Sequence, residues 1–489
     1  MTQRDRRRVL VIAADGLRPD MVDPRIMPTY ARLAAGGVRF ADHHASYPPH
    51  TRVQVSTLAT GTTPGRHGIV ANVMRVPGAN GSGIVDTSNW DHIQGLDRLT
   101  NGHAIMSPTL GDLLDARDER LAVAATSSAG AAVLWTRKAP YRLVNTNTTY
   151  DRADLHSLRE KLGPLPPQGL EHRFDRLAYA TRAVTDLFLD DTDCRVIVFW
   201  MSEPDASQHY FGLGSSGALQ ALQECDGALA FILDALRSKG LEDQFDLVLI
   251  SDHGHSTVRH HRSLTEYIER SGRELPDNLA ARLTTASDYI YDADGGHQGL
   301  SAAELEPLVR WLQAQPWTGA LFGGTPEISR LPGVLPLAAL WDGQSNGRAP
   351  LLAVSPAWTD DVNENGVPGT VAALTEQVAL KSTHGAASPF DMHAFAAVSG
   401  PDFKSGAVSD LPSGAVDLAP TILTLLGIEQ PPTFDGRVLW EAFDQPQGDI
   451  FEQTDKQLAP VTSSPDGFAP TMHLHRVGHV SYVDRVSNG

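Results

Sequence analysis

Five short apolar runs constrain this chain most: "VLVIAA" (Val9 to Ala14), "LAVAAT" (Leu121 to Thr126), "CRVIVFWM" (Cys194 to Met201), "DLVLISD" (Asp246 to Asp252) and "HAFAAVSG" (His393 to Gly400). None alternates polar with apolar residues, so each reads as a strand buried on both faces, the pattern of a mostly parallel sheet. Helix-like segments lie between them, including "MPTYARLAAGG" with its glycine stop and "GALQALQECDGALAFILDALRSKG" with apolar residues at helical spacing. That alternation predicts an α/β fold, a doubly wound and mostly parallel sheet. Ligands of such sheets bind beyond the carboxyl ends of the strands. Polar residues gather there: Asp15 after the first run, Asp205 shortly after the third, Asp252 and His253 at the end of the fourth.

A chain of 489 residues suits one large α/β domain carrying an insert, or two domains. We expect residues 1–255 and 380–445 to form the core. The less regular, Gly- and Pro-rich stretch 256–379 is expected as an inserted cap facing substrate, and 446–489 as a C-terminal extension packing on the core. The tail closes with the alternating, strand-like "MHLHRVGHVSYV".

The formal charge of −18 argues against a surface that wraps a polyanion. A phosphate-bearing ligand would therefore need a local positive centre. Only Cys194 and Cys225 occur, too few for a disulfide framework, and a reduced compartment is the simpler reading. The basic N-terminus leads into too few apolar residues for a signal peptide, and no apolar run reaches the roughly 18 residues of a membrane span. A cytoplasmic location is expected.

Four motifs carry candidate chemistry. Asp15 in "AADGLRPD" is a carboxylate at a strand end followed by a turn glycine. In "EPDASQHYFG", Asp205 and His209 share one face if the segment is helical, which suits joint ligation of a metal. "LVLISDHGHST" delivers Asp252 and His253 from a buried strand into the crevice. His384 lies in "STHGAASPF", ahead of another apolar strand. With Thr51 these residues supply carboxylates, imidazoles and a hydroxyl, enough for two divalent ions about 4 Å apart with positions open to substrate oxygens. The nitrogen and oxygen donor set favours zinc, with manganese as the alternative.

The order Asp, Thr, Asp-x-x-x-His, Asp-His, His resembles the alkaline phosphatase superfamily. Within it, the nearest branch is that of the nucleotide pyrophosphatases/phosphodiesterases and phosphonoacetate hydrolase-like enzymes. "APTILTLLGIEQPPTFDGR" looks like the superfamily's C-terminal signature. The resemblance implies one metal held by Asp205, His209 and His384. It implies a second held by Asp15, Asp252 and His253, with Thr51 completing its shell as nucleophile. It also implies that Asn72 holds a substrate oxygen. "TGTTPGRHGIVAN" matches the family pattern, and Asn72 follows Thr51 by 21 positions, the spacing the pattern leads one to expect. Ser46 is the competing nucleophile, because "SYPPH" superficially resembles the "TFPNH" of eukaryotic-type enzymes. A dication and a helix N-terminus would both stabilise a Thr51 alkoxide. Asn72 and the backbone N–H of Thr51 or Arg52 could donate to the non-bridging oxygens.

"HTRVQ" lacks the sulfatase pattern. Ser127, Ser128 and Ala129 stand where monoesterase relatives place cations, so a diester fits better, with Trp135 as a wall for its leaving group; Arg137 and Lys138 keep monoester and phosphonate hydrolysis open. The histidine pairs His43-His44 and His260-His261, and the set His473, His475 and His479, match no family ligand and read as ordinary loop or strand residues. His255 reads as a neighbour of the site. The expectation is a two-metal hydrolase of phosphodiester or pyrophosphate bonds working through a phospho-threonine. The alternatives are a phosphonoacetate hydrolase-like C–P hydrolase, a phosphomonoesterase, or a non-catalytic metal-binding protein. The expected partner is a small phosphate-ester or phosphonate substrate, not a nucleic-acid polymer or a membrane, and a homo-oligomer is left open.

Overall fold

The computed structural model describes residues 7–137, 142–147, 160–271, 275–293, 299–341, 347–375, 377–451 and 454–488. Eight strands form the central sheet: β1 (Arg8–Ala14), β2 (Val38–Phe40), β3 (Arg120–Ala125), β4 (Arg142–Asn145), β5 (Cys194–Met201), β6 (Phe245–Ile250), β7 (Ala396–Ser399) and β8 (Ala407–Ser409). Their order is β8-β2-β7-β6-β1-β5-β3-β4. β1 is central and pairs in parallel with both β5 and β6. Every residue of β1 and β6 is buried, which is why these runs show no alternation.

β7 runs against the rest, antiparallel to both β6 and β2. The reversal has a consequence for the site. The other strands present the residues that follow them at the carboxyl edge, whereas β7 enters the sheet from that edge, so residues that precede it, His384 among them, reach the same place.

Helices pack against the sheet. Ser216–Ser238 is the longest, capped by the Ser215 hydroxyl, and buries Ala218, Ala221, Leu222, Cys225, Leu229, Ile232 and Leu236 at helical spacing. Its buried Asp226 accepts from the backbone N–H groups of Thr29 and Tyr30 at 2.8 and 2.9 Å. This satisfies the first turn of the Pro28–Gly36 helix, whose own N-cap residue supplies no side-chain acceptor.

Residues 264–354 carry a hydrophobic cluster of their own, with Leu305, Leu308, Leu312, Leu321 and Leu352 at its centre, and a five-stranded mixed sheet. The C-terminal segment forms a three-stranded antiparallel sheet from Asp455–Pro460, Pro470–Val477 and Val480–Asn488. Met472, Leu474, Val483 and Val486 join the main core, while Gly333 N–H donates to the Thr462 carbonyl at 2.8 Å, so this segment touches residues 264–354 as well. Among the described residues, no helix is long and apolar enough to cross a membrane.

Candidate active site

The Thr51–Thr60 helix begins at the carboxyl edge of the sheet with Thr51 as its first residue. The segment entering it is pinned by the buried Gln54 amide, which accepts from Ser46 N–H at 2.9 Å and donates to the carbonyls of Ser46 and Pro48. Thr51 lines a cleft of about 570 Å³ together with Arg52, Asn72, Asp205, His209 and His384. Ser46 does not line it, so the spacing that favours Thr51 selects the residue that faces the cleft.

Thr51 Oγ1 lies 3.3 Å from His253 Nε2. That nitrogen is 3.5 Å from Asp15 Oδ1 and 3.2 Å from Asp252 Oδ2. Beside this group, Asp205 Oδ1 stands 3.3 Å from His209 Nε2, 3.1 Å from His255 Nε2 and 3.7 Å from His384 Nε2. Asp205 and His209 do lie on one helix, Asp205–Phe211, as their spacing suggests. The His253 and His384 rings stack at 3.6 Å and join the two groups.

Three imidazoles are oriented by their far nitrogens. Nδ1–H of His253 donates to Gly254 O at 2.8 Å, that of His209 to Ser382 O at 2.7 Å, and that of His384 to Pro49 O at 2.7 Å. A carbonyl can only accept, so each Nδ1 carries a proton and each Nε2 is the nitrogen turned inward, the arrangement of metal-binding histidines. The carboxylates are held the same way: Trp200 Nε1–H donates to Asp15 Oδ2 at 3.0 Å and Gly16 N–H to Asp252 Oδ1 at 3.1 Å. Their other oxygens, Asp15 Oδ1 and Asp252 Oδ2, are buried without hydrogen-bond partners. Burial, with the neighbouring Asp252 and Asp205 carboxylates, pushes Asp15 well above the usual carboxylate range, and burial raises Asp252. Burial lowers His253 and His384, keeping them neutral. Orphaned inward oxygens, the neutral His253 and His384 imidazoles and the crowding of three carboxylates together fit divalent cations. Gly16 is required by the crowding: its φ is +69°, and a Cβ there would lie 3.1 Å from Asp205 Cβ and 3.2 Å from a His255 ring carbon.

Asn72 differs from expectation in one respect. Its Oδ1 accepts from Arg52 N–H at 3.2 Å, so that backbone donor is already engaged and the Asn72 Nδ2 donors remain for a ligand. Trp135 is a correction. It is fully buried, stacked edge to face on Trp200 at 6.2 Å, and does not line the cleft; through Trp200 it backs the Asp15 carboxylate rather than walling a substrate. The aromatic ring that does line the cleft is Tyr210, half exposed, on the Asp205–Phe211 helix. Arg137 is paired with Asp112 at 2.7 Å away from the cleft, and Lys138 lies outside the described residues. Sequence reading passed over the Arg52 side chain. The half-buried guanidinium lines the cleft next to Thr51, with Asp86, Asp15, Asp205 and Asp252 as the charges around it. No hydrogen bond or ion pair from it is found among the described residues, and its Nε is buried without a partner. A basic residue directly after the candidate nucleophile was the available signal.

The chain is similar to proteins of one known family. The family model described as type I phosphodiesterase / nucleotide pyrophosphatase matches residues 9–310. The venom phosphodiesterase of Macrovipera lebetinus is 23% identical over 302 residues, 59% of this chain and 31% of that protein. Ectonucleotide pyrophosphatase/phosphodiesterase family member 3 of Bos taurus is 24% identical over 250 residues, 50% of this chain and 24% of that protein. The chain thus spans about a third or less of the length of these curated relatives. Among solved structures, an inactive variant of murine ectonucleotide pyrophosphatase/phosphodiesterase 5 in complex with AMP shares the fold with a TM-score of 0.60 at 18% identity, covering 87% of this chain and 96% of that one. A family model that takes in well over half of the sequence, over a fold of the same kind, leads to one assignment: the chain belongs to the type I phosphodiesterase / nucleotide pyrophosphatase family.

Proposed function

We propose that this protein hydrolyses phosphodiester or pyrophosphate bonds of small substrates through a phospho-threonine on Thr51. The observation that carries the reading is the position of Thr51 Oγ1 at a helix N-terminus, 3.3 Å from His253 Nε2 in the Asp15/Asp252/His253 group. Two divalent ions, zinc by the donor set, would be held by Asp205, His209 and His384 and by Asp15, Asp252, His253 and Thr51, and would supply Lewis-acid polarisation and alkoxide stabilisation.

The chain's own residues then have defined tasks. Thr51 Oγ1, its proton lost to solvent, attacks phosphorus; the Thr51 O–P bond forms, the bond to the leaving oxygen breaks, and the departing alkoxide takes a proton from water. For a diester the threonine retains one ester arm until water attacks phosphorus and the Thr51 O–P bond is cleaved. Asn72 Nδ2 donates to a non-bridging oxygen whose charge grows in the transition state. Arg52 supplies the positive centre that an acidic protein otherwise lacks here. Its single charge matches the monoanionic diester, which supports a diester preference over a dianionic monoester. Tyr210, with Leu264 and Leu374 also lining the cleft, offers apolar surface to the leaving group. A reducing, cytoplasmic setting is part of the same reading, supported by two buried free thiols.

Steady-state hydrolysis of bis-p-nitrophenyl phosphate beside p-nitrophenyl phosphate, with defined zinc or manganese, tests the proposal. Diester turnover should vanish in Thr51→Ala and survive in Ser46→Ala. Equal activity of wild type and Thr51→Ala would end the threonine mechanism, and a monoester preference would end the charge argument.

A further inference from the structure

A second cluster of metal-competent side chains lies outside the cleft. Asp42, His44, His393 and Asp484 each offer a donor atom, and the four atoms lie within 4.8 Å of one another. None of these residues lines the catalytic cleft. Their placement follows from the fold. Asp42 and His44 belong to the segment that leads towards Thr51, His393 lies just ahead of β7 and is bridged to His44, and Asp484 comes from the last strand, Val480–Asn488.

His44 points most directly to a ligand. It is 1% exposed, and its Nδ1 is buried without a hydrogen-bond partner, a costly state for a polar ring. Its Nε2 faces Asp42 Oδ1 at 2.9 Å. On the other side, His393 Nε2 is 2.7 Å from Asp484 Oδ1. The outer oxygens of both carboxylates are already held: Asp42 Oδ2 by His475 Nδ1 at 2.9 Å and Asp484 Oδ2 by Arg485. That leaves Oδ1 of each aspartate facing an imidazole, with outer partners fixing the carboxylates as they do around metal ligands.

We propose that Asp42, His44, His393 and Asp484 form a structural divalent-cation site, separate from the catalytic centre, that takes zinc. Two imidazole nitrogens and two carboxylate oxygens make a closed four-ligand set, and two carboxylate charges balance one dication. With bonds of about 2 Å, small side-chain rotations bring the four donors onto one ion. The ion ties the C-terminal sheet to the segment entering the Thr51 helix. Segments far apart in sequence are thereby closed into one unit, the kind of cross-link that most restricts the unfolded chain.

Zinc content after chelation, equilibrium dialysis against zinc and removal of free metal tests this in the full chain. Wild type should hold about one zinc equivalent more than His393→Gln or Asp42→Asn. Both substituted side chains are partly exposed, so if one variant does not fold the other still reads the site. Bis-p-nitrophenyl phosphate turnover per chain should persist in both, and zinc should raise the melting temperature of wild type more than that of either variant. Equal zinc content in wild type and variants would overturn the proposal and leave the cluster as paired histidines and aspartates. A zinc loss that abolishes turnover would overturn it too, because the lost ion would then be a catalytic one.

Discussion

Asn72 offers the sharpest test of how the cleft handles a phosphoryl group, because its two amide atoms have different jobs. Oδ1 accepts from Arg52 N–H at 3.2 Å, and Nδ2 is the end left to meet substrate. Asn72→Ala removes both. Loss of one donor of this kind from a transition-state oxygen costs about 3 kcal/mol, roughly 100- to 1000-fold in kcat. Asn72→Asp keeps the acceptor for Arg52 N–H but replaces the donor with a negative charge. At about 4 Å from a phosphoryl oxygen, and an effective dielectric of about 20, that adds about 4 kcal/mol of repulsion, part of which Arg52 offsets. The aspartate variant should therefore fall below the alanine variant by a further factor of about ten to a hundred. Steady-state kcat/KM for bis-p-nitrophenyl phosphate, with melting temperatures taken alongside, measures both. If Asn72→Asp keeps activity within a few-fold of wild type, Asn72 only braces the Arg52 backbone and the donor assignment is wrong.

Arg52→Ala should lower diester kcat/KM by about 10- to 100-fold, the worth of a charge-assisted hydrogen bond, mostly through KM, while the melting temperature holds because the guanidinium has no described partner to lose. An unchanged KM would remove Arg52 from substrate binding. Tyr210→Ala should raise KM for aryl diesters, whereas Trp135→Phe, which deletes a buried and unpartnered indole N–H, should leave turnover unaltered; the reverse pattern would restore Trp135 as the wall. His67 is fully buried between Thr57 Oγ1 and Ile69 N–H, and burial lowers it to about 3. Because the unfolded chain binds that proton near pH 6.5 and the folded one does not, the neutral ring's contribution is complete above pH 6.5 and is lost as pH falls towards 3. At pH 5 the loss is about 2 kcal/mol. Stability of His67→Gln should be flatter than wild type between pH 7 and 5, and parallel curves would show that His67 does not carry the effect.

The parts of this structure that were legible in the sequence are those governed by short-range pattern. Strands buried on both faces advertise themselves by lacking alternation, and Asp205 with His209 by a spacing that only a helix turns into a shared face. The direction of β7 was not legible, since "AFAAVSG" looks the same in either orientation; only the sheet shows that His384 reaches the site by preceding its strand. Trp135 misled because an apolar aromatic carries no mark of which way its ring turns, and packing against Trp200 decided it. Arg52 was missed because its one signal, a basic residue directly after the candidate nucleophile, does not say which way the side chain turns. His44 was set aside as an ordinary loop or strand residue, and His393 and Asp484 carried no signal, because the three meet only when the C-terminal sheet docks on the segment ahead of Thr51.

The central claim is covalent, and it is tested most directly by acid-quenching a diester reaction within one turnover and sequencing the tryptic peptides by mass spectrometry. The account predicts that the phosphoryl group, with its retained ester arm, is found on Thr51 in wild type and is missing from Thr51→Ala. A wild-type enzyme that turns over the diester with Thr51 unmodified at every quench time, or with the label on Ser46, would contradict it.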